Sequence, residues 1–253
     1  MALTRRKEKV PALTAASLEA PDEGAVSRLV QVLLDAGIDG LGPLKSAHEL
    51  AVWARTETGR TGATDAAVAK VARQTLVRGG IGGFVTGVGG FLTMPIALPA
   101  NVVEFYIQAT RMVGAIADLR GYDVADPMVR TAILMTLVGS DADDVLAKAG
   151  LVGGKQNRMV TLASGQLPPA GLLMLNKAIG FRLMRGVGEK AFSRLGRGIP
   201  LAGGFLGGGI DMWMMKRIAD HALGEFPPVA LHALPAGPGV TPLGPGTTSY
   251  GAS

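Results

Sequence analysis

The chain has 253 residues, of which 37 are glycine, with a net charge of +5 and only 18% charged residues. Glycine is about twice its ordinary ~7%, and charged residues fall below the usual ~25%. With a mean hydropathy of +0.32, this composition excludes an intrinsically disordered chain, and the absence of cysteine excludes disulfides and cysteine-ligated metals.

The two ends of the chain differ in composition from the part between them. Residues 1–22 mix charged residues, two prolines and small side chains, which predicts a flexible arm. Because no apolar segment of signal-peptide type follows the basic N-terminus, we expect the protein to stay on the cytoplasmic side. Residues 229–253 are uncharged and rich in Pro and Gly, which predicts a disordered tail. The folded domain is therefore expected over 23–228.

Between these ends, apolar residues recur with helical spacing. One such stripe covers Val26–Leu34 and a second covers Leu44–Ala54, and a glycine closes each of them. Thr64 predicts the start of a helix that runs toward Val77. Asp126, which precedes a proline, predicts the start of a helix that continues to Val138. No stretch alternates apolar and polar residues for long enough to indicate a strand, so the sequence predicts an all-α, multi-helix bundle.

Two glycine-rich segments interrupt this pattern. Gly79–Val103 and Gly198–Ile210 contain no charged residue. In both segments glycines lie four residues apart, a spacing that lets another helix backbone approach closely, as in membrane helix pairs. The two segments are therefore candidates for packing against each other. The predicted packing residues are Gly79, Gly83, Gly87, Gly90, Pro95, Pro99, Gly203 and Gly207.

The first segment is long enough to cross a membrane, since about 20 apolar residues suffice. Its seven glycines, Asn101 and two prolines oppose a clean span. Pro95 and Pro99 are expected to divide it into a glycine helix and a second helix that starts near Pro99. These features favour a re-entrant or shallow helical hairpin in contact with the bilayer. The alternative is a hairpin buried in the core of a soluble bundle.

Positive charge is concentrated between Lys177 and Arg197, where six basic residues occur with one acidic residue. On a helix the basic residues share one half of the surface and apolar residues the other, which is typical of a helix that binds an anionic membrane surface. The alternative is a core-packed helix with a solvated face. Few aromatics accompany the basic face, which argues against nucleic acid. The predicted lipid-binding residues are Arg182, Arg185, Lys190, Arg194 and Arg197.

No motif in the chain indicates catalysis. The glycines near Lys155 and Gly186 depart from phosphate-binding and dinucleotide-binding motifs. Asp141, Asp143 and Asp144 leave a metal-dependent hydrolase as a minor alternative, but the positive end of a helix explains them more simply. We therefore expect no catalytic residue, no metal and no cofactor.

Two further stretches are informative as a pair. The first reads GGFLTMPIALP over Gly89–Pro99 and is followed by IADLRGYD at 116–123, and the second covers Gly198–Asp211. Together they resemble the EcsC family, although Gly204 replaces the family's usual Ala and Asp211 its usual Asn. The family is named for a bacterial protein encoded beside an ABC transporter, and its biochemical role is not established. The resemblance therefore implies no catalytic residues.

These observations predict a non-enzymatic helical protein at the cytoplasmic face of the cell membrane, peripheral or shallowly inserted. Its expected partners are anionic membrane lipids and, by the resemblance, a membrane transporter. The alternative is a soluble helical bundle that encloses an apolar ligand, such as a lipid or fatty acid, between its glycine grooves and the methionines Met212, Met214 and Met215 beside Trp213. The sequence has no feature that predicts the oligomeric state.

Overall fold

The computed structural model describes residues 23–59, 64–88, 94–139, 142, 145–146, 168–195 and 200–229, with side chains described outside 78–101, 186–208 and 210. Over these residues the chain forms α-helices and no strand. The prediction of an all-α, multi-helix bundle is confirmed. The predicted arm at 1–22 and the tail from 230 onward lie outside the described residues.

Seven α-helices follow one another along the described chain. They are α1 (Glu23–Val32), which continues as a π-helix over Leu33–Asp39, α2 (Ala47–Thr58), α3 (Thr64–Val88), α4 (Met94–Leu119), α5 (Pro127–Val138), α6 (Pro169–Leu195) and α7 (Pro200–Glu225).

Helix α2 begins three residues later than its apolar stripe predicts. Ser46 forms a capping box with Glu49: the Ser46 Oγ accepts from the Glu49 backbone N–H at 3.0 Å, and the Ser46 N–H donates to the Glu49 carboxylate at 2.8 Å. This N–H, as the largest cause, holds the pKa of Glu49 below its usual value. Leu44 lies in the preceding turn, where its N–H donates to the Leu41 carbonyl at 3.1 Å.

The first helix also ends differently from the prediction. Gly37 does not close it, because the chain continues as a π-helix to Asp39 and turns only at Gly40, whose φ is +82°. Gly37 serves instead as a contact point, since a Cβ added to it would lie 2.7 Å from the Cβ of Thr110 on α4. The start of α5 agrees with its prediction, because the Asp126 carboxylate accepts from the Met128 N–H at 2.7 Å.

The glycine-rich region agrees with its prediction in one helix and differs from it in the other. The predicted glycine helix is present as the second half of α3, which starts at Thr64 and continues past Val77 to Val88, although glycine costs about 1 kcal/mol relative to alanine in a helix. Helix α4 begins at Met94 rather than near Pro99. Pro95 is tolerated there because the first N–H groups of a helix have no intrahelical acceptor.

Helix α4 forms the centre of the bundle, since it packs against α2, α3, α5, α6, α7 and the π-helix. Its residues from Ala109 to Ala117 are buried. Burial also raises the pKa of the Tyr106 phenol to about 12. Arg111 is the buried charged residue in this stretch, and its guanidinium donates to the Gln108 side chain.

Glycine permits close helix approach at two further points of this core. A Cβ on Gly114 of α4 would lie 2.8 Å from the Cβ of Ala47 on α2. A Cβ on Gly180 of α6 would lie 2.7 Å from Val26 and 2.8 Å from Val30, both on α1. Contacts this short are closer than real Cβ atoms approach, so the helices meet there because no side chain separates them. The sequence analysis did not single out these glycines.

Candidate functional site

Three contacts bring helix ends together at one end of the bundle. Arg120, just after α4, pairs with Asp65 in the first turn of α3 at 3.1 Å. The Val229 N–H, just after α7, donates to the Arg120 carbonyl at 2.9 Å. The rings of Tyr122 and Phe226 meet edge to face with centroids 5.3 Å apart. We call this end, where α4 and α7 finish and α3 begins, the base.

The opposite ends of the same three helices lie on one side of the bundle. The base contacts make α3 antiparallel to α4 and α7, and α3 packs against both, most extensively against α7. The helices have nearly equal lengths of 25, 26 and 26 residues. The end of α3 therefore lies with the starts of α4 and α7. We call the residues 79–88, 94–103 and 200–210 the tip. The two helices that carry the predicted glycine rows pack together, and packing between the glycine rows themselves stays a prediction.

The tip is uncharged over the same length in all three helices. The first charged residue is Arg78 on α3, Glu104 on α4 and Asp211 on α7. At 1.5 Å per residue, these charges lie about 15, 15 and 17 Å from the helix ends at Val88, Met94 and Pro200. Half of the hydrocarbon core of a bilayer is also about 15 Å thick. The length of the uncharged tip therefore matches the depth of one leaflet.

The predicted packing residues fall within this tip wherever the structure describes the backbone. Gly79, Gly83 and Gly87 lie on α3, Pro95 and Pro99 on α4, and Gly203 and Gly207 on α7. Gly90 lies outside the described residues, as do all of residues 89–93, which separate α3 from α4 in the chain. The hairpin itself stays a prediction.

The predicted lipid-binding residues lie on and just after α6. Arg182 and Arg185 are exposed, whereas the neighbouring Leu183 and Met184 are buried. Leu183 falls on the basic half of an ideal helical projection, yet it packs into the core. Lys190 and Arg194 lie on the last turns of α6, with side chains beyond the described set, and Arg197 lies outside the described residues.

Chain continuity places the C-terminal end of α6 near the tip. Only residues 196–199 separate Leu195, the last residue of α6, from Pro200, the first residue of α7. An extended chain spans at most about 3.6 Å per residue, so Leu195 lies within about 18 Å of Pro200. The concentration of basic residues on α6 therefore runs toward the uncharged tip.

A connected polar cluster lies at the base. Asp118, whose side chain is 11% exposed, meets the His48 Nδ1 at 2.7 Å and the Arg55 guanidinium at 3.1 Å. Arg55 also donates to the Asp118 carbonyl at 2.8 Å. A His–carboxylate pair occurs in many catalytic sites. Here both carboxylate oxygens are engaged by side chains of α2, so the cluster docks α2 onto the end of α4.

The sequence analysis missed this cluster because 70 residues separate His48 from Asp118. The available signal is the seven-residue spacing of His48 and Arg55, which places both on one face of α2. Burial, as the largest cause, raises the pKa of Tyr122 at the same end of the bundle. The base is thus a polar, ion-paired end, unlike the tip.

Among the residues that the structure describes, no helix is both long and apolar enough to cross a membrane. No group of three His, Cys, Asp or Glu side chains in this part of the chain is arranged to hold a metal. Asp141, Asp143 and Asp144, the minor metal-site alternative, lie outside it.

Comparisons with protein-family models, curated proteins and solved structures found no match to this chain. The resemblance to the EcsC family therefore stays a prediction. The candidate site rests on the geometry of the tip and on the charge of α6.

Proposed function

We propose that this chain is a non-enzymatic protein that binds the cytoplasmic face of a membrane by placing its uncharged tip in one leaflet. The observation that supports this most strongly is the matched position of the first charges, about 15–17 Å from the ends of all three tip helices. A charged residue within the hydrocarbon costs about 2.5–3.5 kcal/mol on the insertion scale. Three helices that exclude charge to the same depth suit a bilayer leaflet.

The basic residues of α6 supply the second part of the proposal. Each Lys or Arg near an anionic surface contributes about 1 kcal/mol to binding. Arg182 and Arg185 are exposed to solvent, and Lys190 and Arg194 continue the basic pattern toward the tip. Apolar insertion and electrostatic attraction would therefore act at the same end of the molecule. By the resemblance to the EcsC family, we extend the proposal to an accessory role beside a membrane transporter.

Co-sedimentation of the full chain with lipid vesicles tests this function. Vesicles of phosphatidylcholine with phosphatidylglycerol are compared with pure phosphatidylcholine, each at low and high salt. We expect strong binding to the anionic vesicles at low salt and weaker binding at high salt, because salt screens the α6 charges. A protein that stays in the supernatant with both lipids at both salt concentrations would refute the proposal.

A charge-matched pair of variants tests the role of α6. Lys190→Gln with Arg194→Gln is expected to weaken binding by about 2 kcal/mol, or roughly 30-fold. Lys45→Gln with Lys70→Gln removes the same amount of charge near the base, just before α2 and on α3. We expect this double variant to lose much less affinity for the vesicles. Equal losses for the two double variants would assign the effect to net charge rather than to α6.

The alternative of an enclosed apolar ligand gains no support from the methionine-rich segment. Met212 and Trp213 are exposed, and Met215 is the fully buried member of this group. Side chains that face solvent do not line an interior ligand site.

A further inference from the structure

An exposed aromatic residue lies just beyond the charge-free part of α7. Trp213 is 57% exposed and its neighbour Met212 is 44% exposed. On the adjacent helix α3, Val77 is 50% exposed and immediately precedes Arg78. These three large apolar side chains are exposed on the bundle surface, close to the level at which the tip helices first carry charge.

Their distance from the end of the tip can be read from the helix rise. Val77 lies about 17 Å from the end of α3, and Trp213 lies about 20 Å from the start of α7. In a bilayer, the hydrocarbon of one leaflet ends about 15 Å from the midplane, and the headgroup region extends roughly 5–7 Å further. When the tip fills one leaflet, Trp213 therefore lies among the headgroups, where tryptophan is enriched in membrane proteins.

Arg217 accompanies Trp213 at this level. Its guanidinium carbon lies 5.0 Å from the centre of the Trp213 ring, which is within cation–π distance. Side chains on a helix lean toward its N-terminus, and the N-terminus of α7 lies in the tip. Arg217 therefore carries its positive charge toward the membrane side, beside an aromatic ring that is itself exposed.

Other charges lie close to this pair. Asp211 is on the same helix, Lys216 pairs with Asp220 at 2.7 Å, and Glu104 is exposed at the corresponding level of α4. Glu104 and Asp211 favour water over lipid, so they limit insertion to the depth at which they stay outside the hydrocarbon. Arg78 of α3 also lies at this level of the sequence, but Arg217 is the cation that contacts the exposed Trp213 ring and is thus placed to meet a lipid phosphate beside it.

We propose that Trp213 and Arg217 form an interfacial anchor, in which the indole lies among the headgroups and the guanidinium binds the phosphate of a phospholipid. The inference rests on the proposed insertion of the tip and adds its depth and its headgroup contact. Arginine suits phosphate because its planar donors match the phosphate oxygens. The Trp213 ring, in contact with the Arg217 guanidinium, would then lie at the boundary between lipid and water.

Tryptophan fluorescence locates this residue because the chain contains two tryptophans. Trp53→Phe leaves Trp213 as the one fluorophore, and Trp213→Phe leaves Trp53, which lies on α2. Each variant is mixed with phosphatidylcholine–phosphatidylglycerol vesicles that contain lipid brominated near either the carbonyl or the methyl end of the acyl chain. We expect a blue shift for Trp213 and stronger quenching by the shallow bromine, with no change for Trp53.

The cation is tested by Arg217→Gln against Lys216→Gln, its neighbour on the same helix. Arg217→Gln is expected to lower affinity for these vesicles about fivefold, the value of one charge at the surface, with a smaller loss for Lys216→Gln. If the protein binds vesicles but its Trp213 fluorescence does not shift, the proposed anchor is wrong. Equal losses of affinity in the two variants would also overturn the anchor. Neither result contradicts insertion of the tip. Absence of any vesicle binding overturns both the anchor and the proposed function.

Discussion

The base and the tip are two ends of the same three helices, and they differ in charge. At the base, Arg120 bridges to Asp65, and Asp118 joins α4 to His48 and Arg55 of α2. At the tip, the same helices have no charge for about 15 Å. Ion pairs are compatible with water but costly to transfer into hydrocarbon. This difference is what the proposed insertion of the tip requires.

A charge placed in the tip should have the largest effect, because it removes the difference in charge between the two ends and weakens vesicle binding. Val88→Asp at the end of α3 is expected to weaken vesicle binding by up to about 3 kcal/mol, or roughly 150-fold, because the carboxylate resists transfer into lipid. Val52→Asp, at an exposed position on α2 near the base, is the control and should bind like the parent. Binding isotherms measure both. Equal binding by the parent and Val88→Asp would remove the distinction between the ends.

Filling a close glycine contact is expected to have the next largest effect, which is on the free energy of unfolding. Gly180→Ala should lower the free energy of unfolding by about 1–3 kcal/mol, because its Cβ would overlap Val26 and Val30. Gly209→Ala is the matched control, since it is also helical and nothing lies within 4 Å of its added Cβ. It should stabilise the chain by up to about 1 kcal/mol. Urea denaturation compares them, and a neutral Gly180→Ala would contradict the observed packing of α6 on α1.

The ion pairs of the base should have the smallest effect. Asp118→Asn removes the carboxylate shared by His48 and Arg55, and because both partners are largely exposed we expect a loss of about 1 kcal/mol in unfolding free energy. Asp220→Asn, which breaks an exposed pair with Lys216, should cost less than half as much. Asp118→Asn should not alter vesicle binding. A large loss of binding in Asp118→Asn would place lipid contact at the base instead of the tip.

The helices were predictable from local pattern, but their relative placement was not. Apolar spacing and Asp126 indicate helices correctly, whereas Ser46 shows that a capping box, not the first apolar residue, decides where α2 begins. The course of α3 through its glycines depends on packing against α7, a long-range contact. The uncharged segments are visible in the sequence. Their equal depth is not, because it follows from helix ends at Val88, Met94 and Pro200.

Site-directed spin labelling tests tip insertion most directly, since the chain has no native cysteine. Val88→Cys labels the tip and Val52→Cys the base, and power saturation compares collisions with apolar oxygen and with a water-soluble nickel chelate. On anionic vesicles, we expect the label at position 88 to gain oxygen contact and lose nickel contact, while the label at position 52 stays in water. Equal nickel contact at both positions in vesicle-bound protein would contradict insertion of the tip.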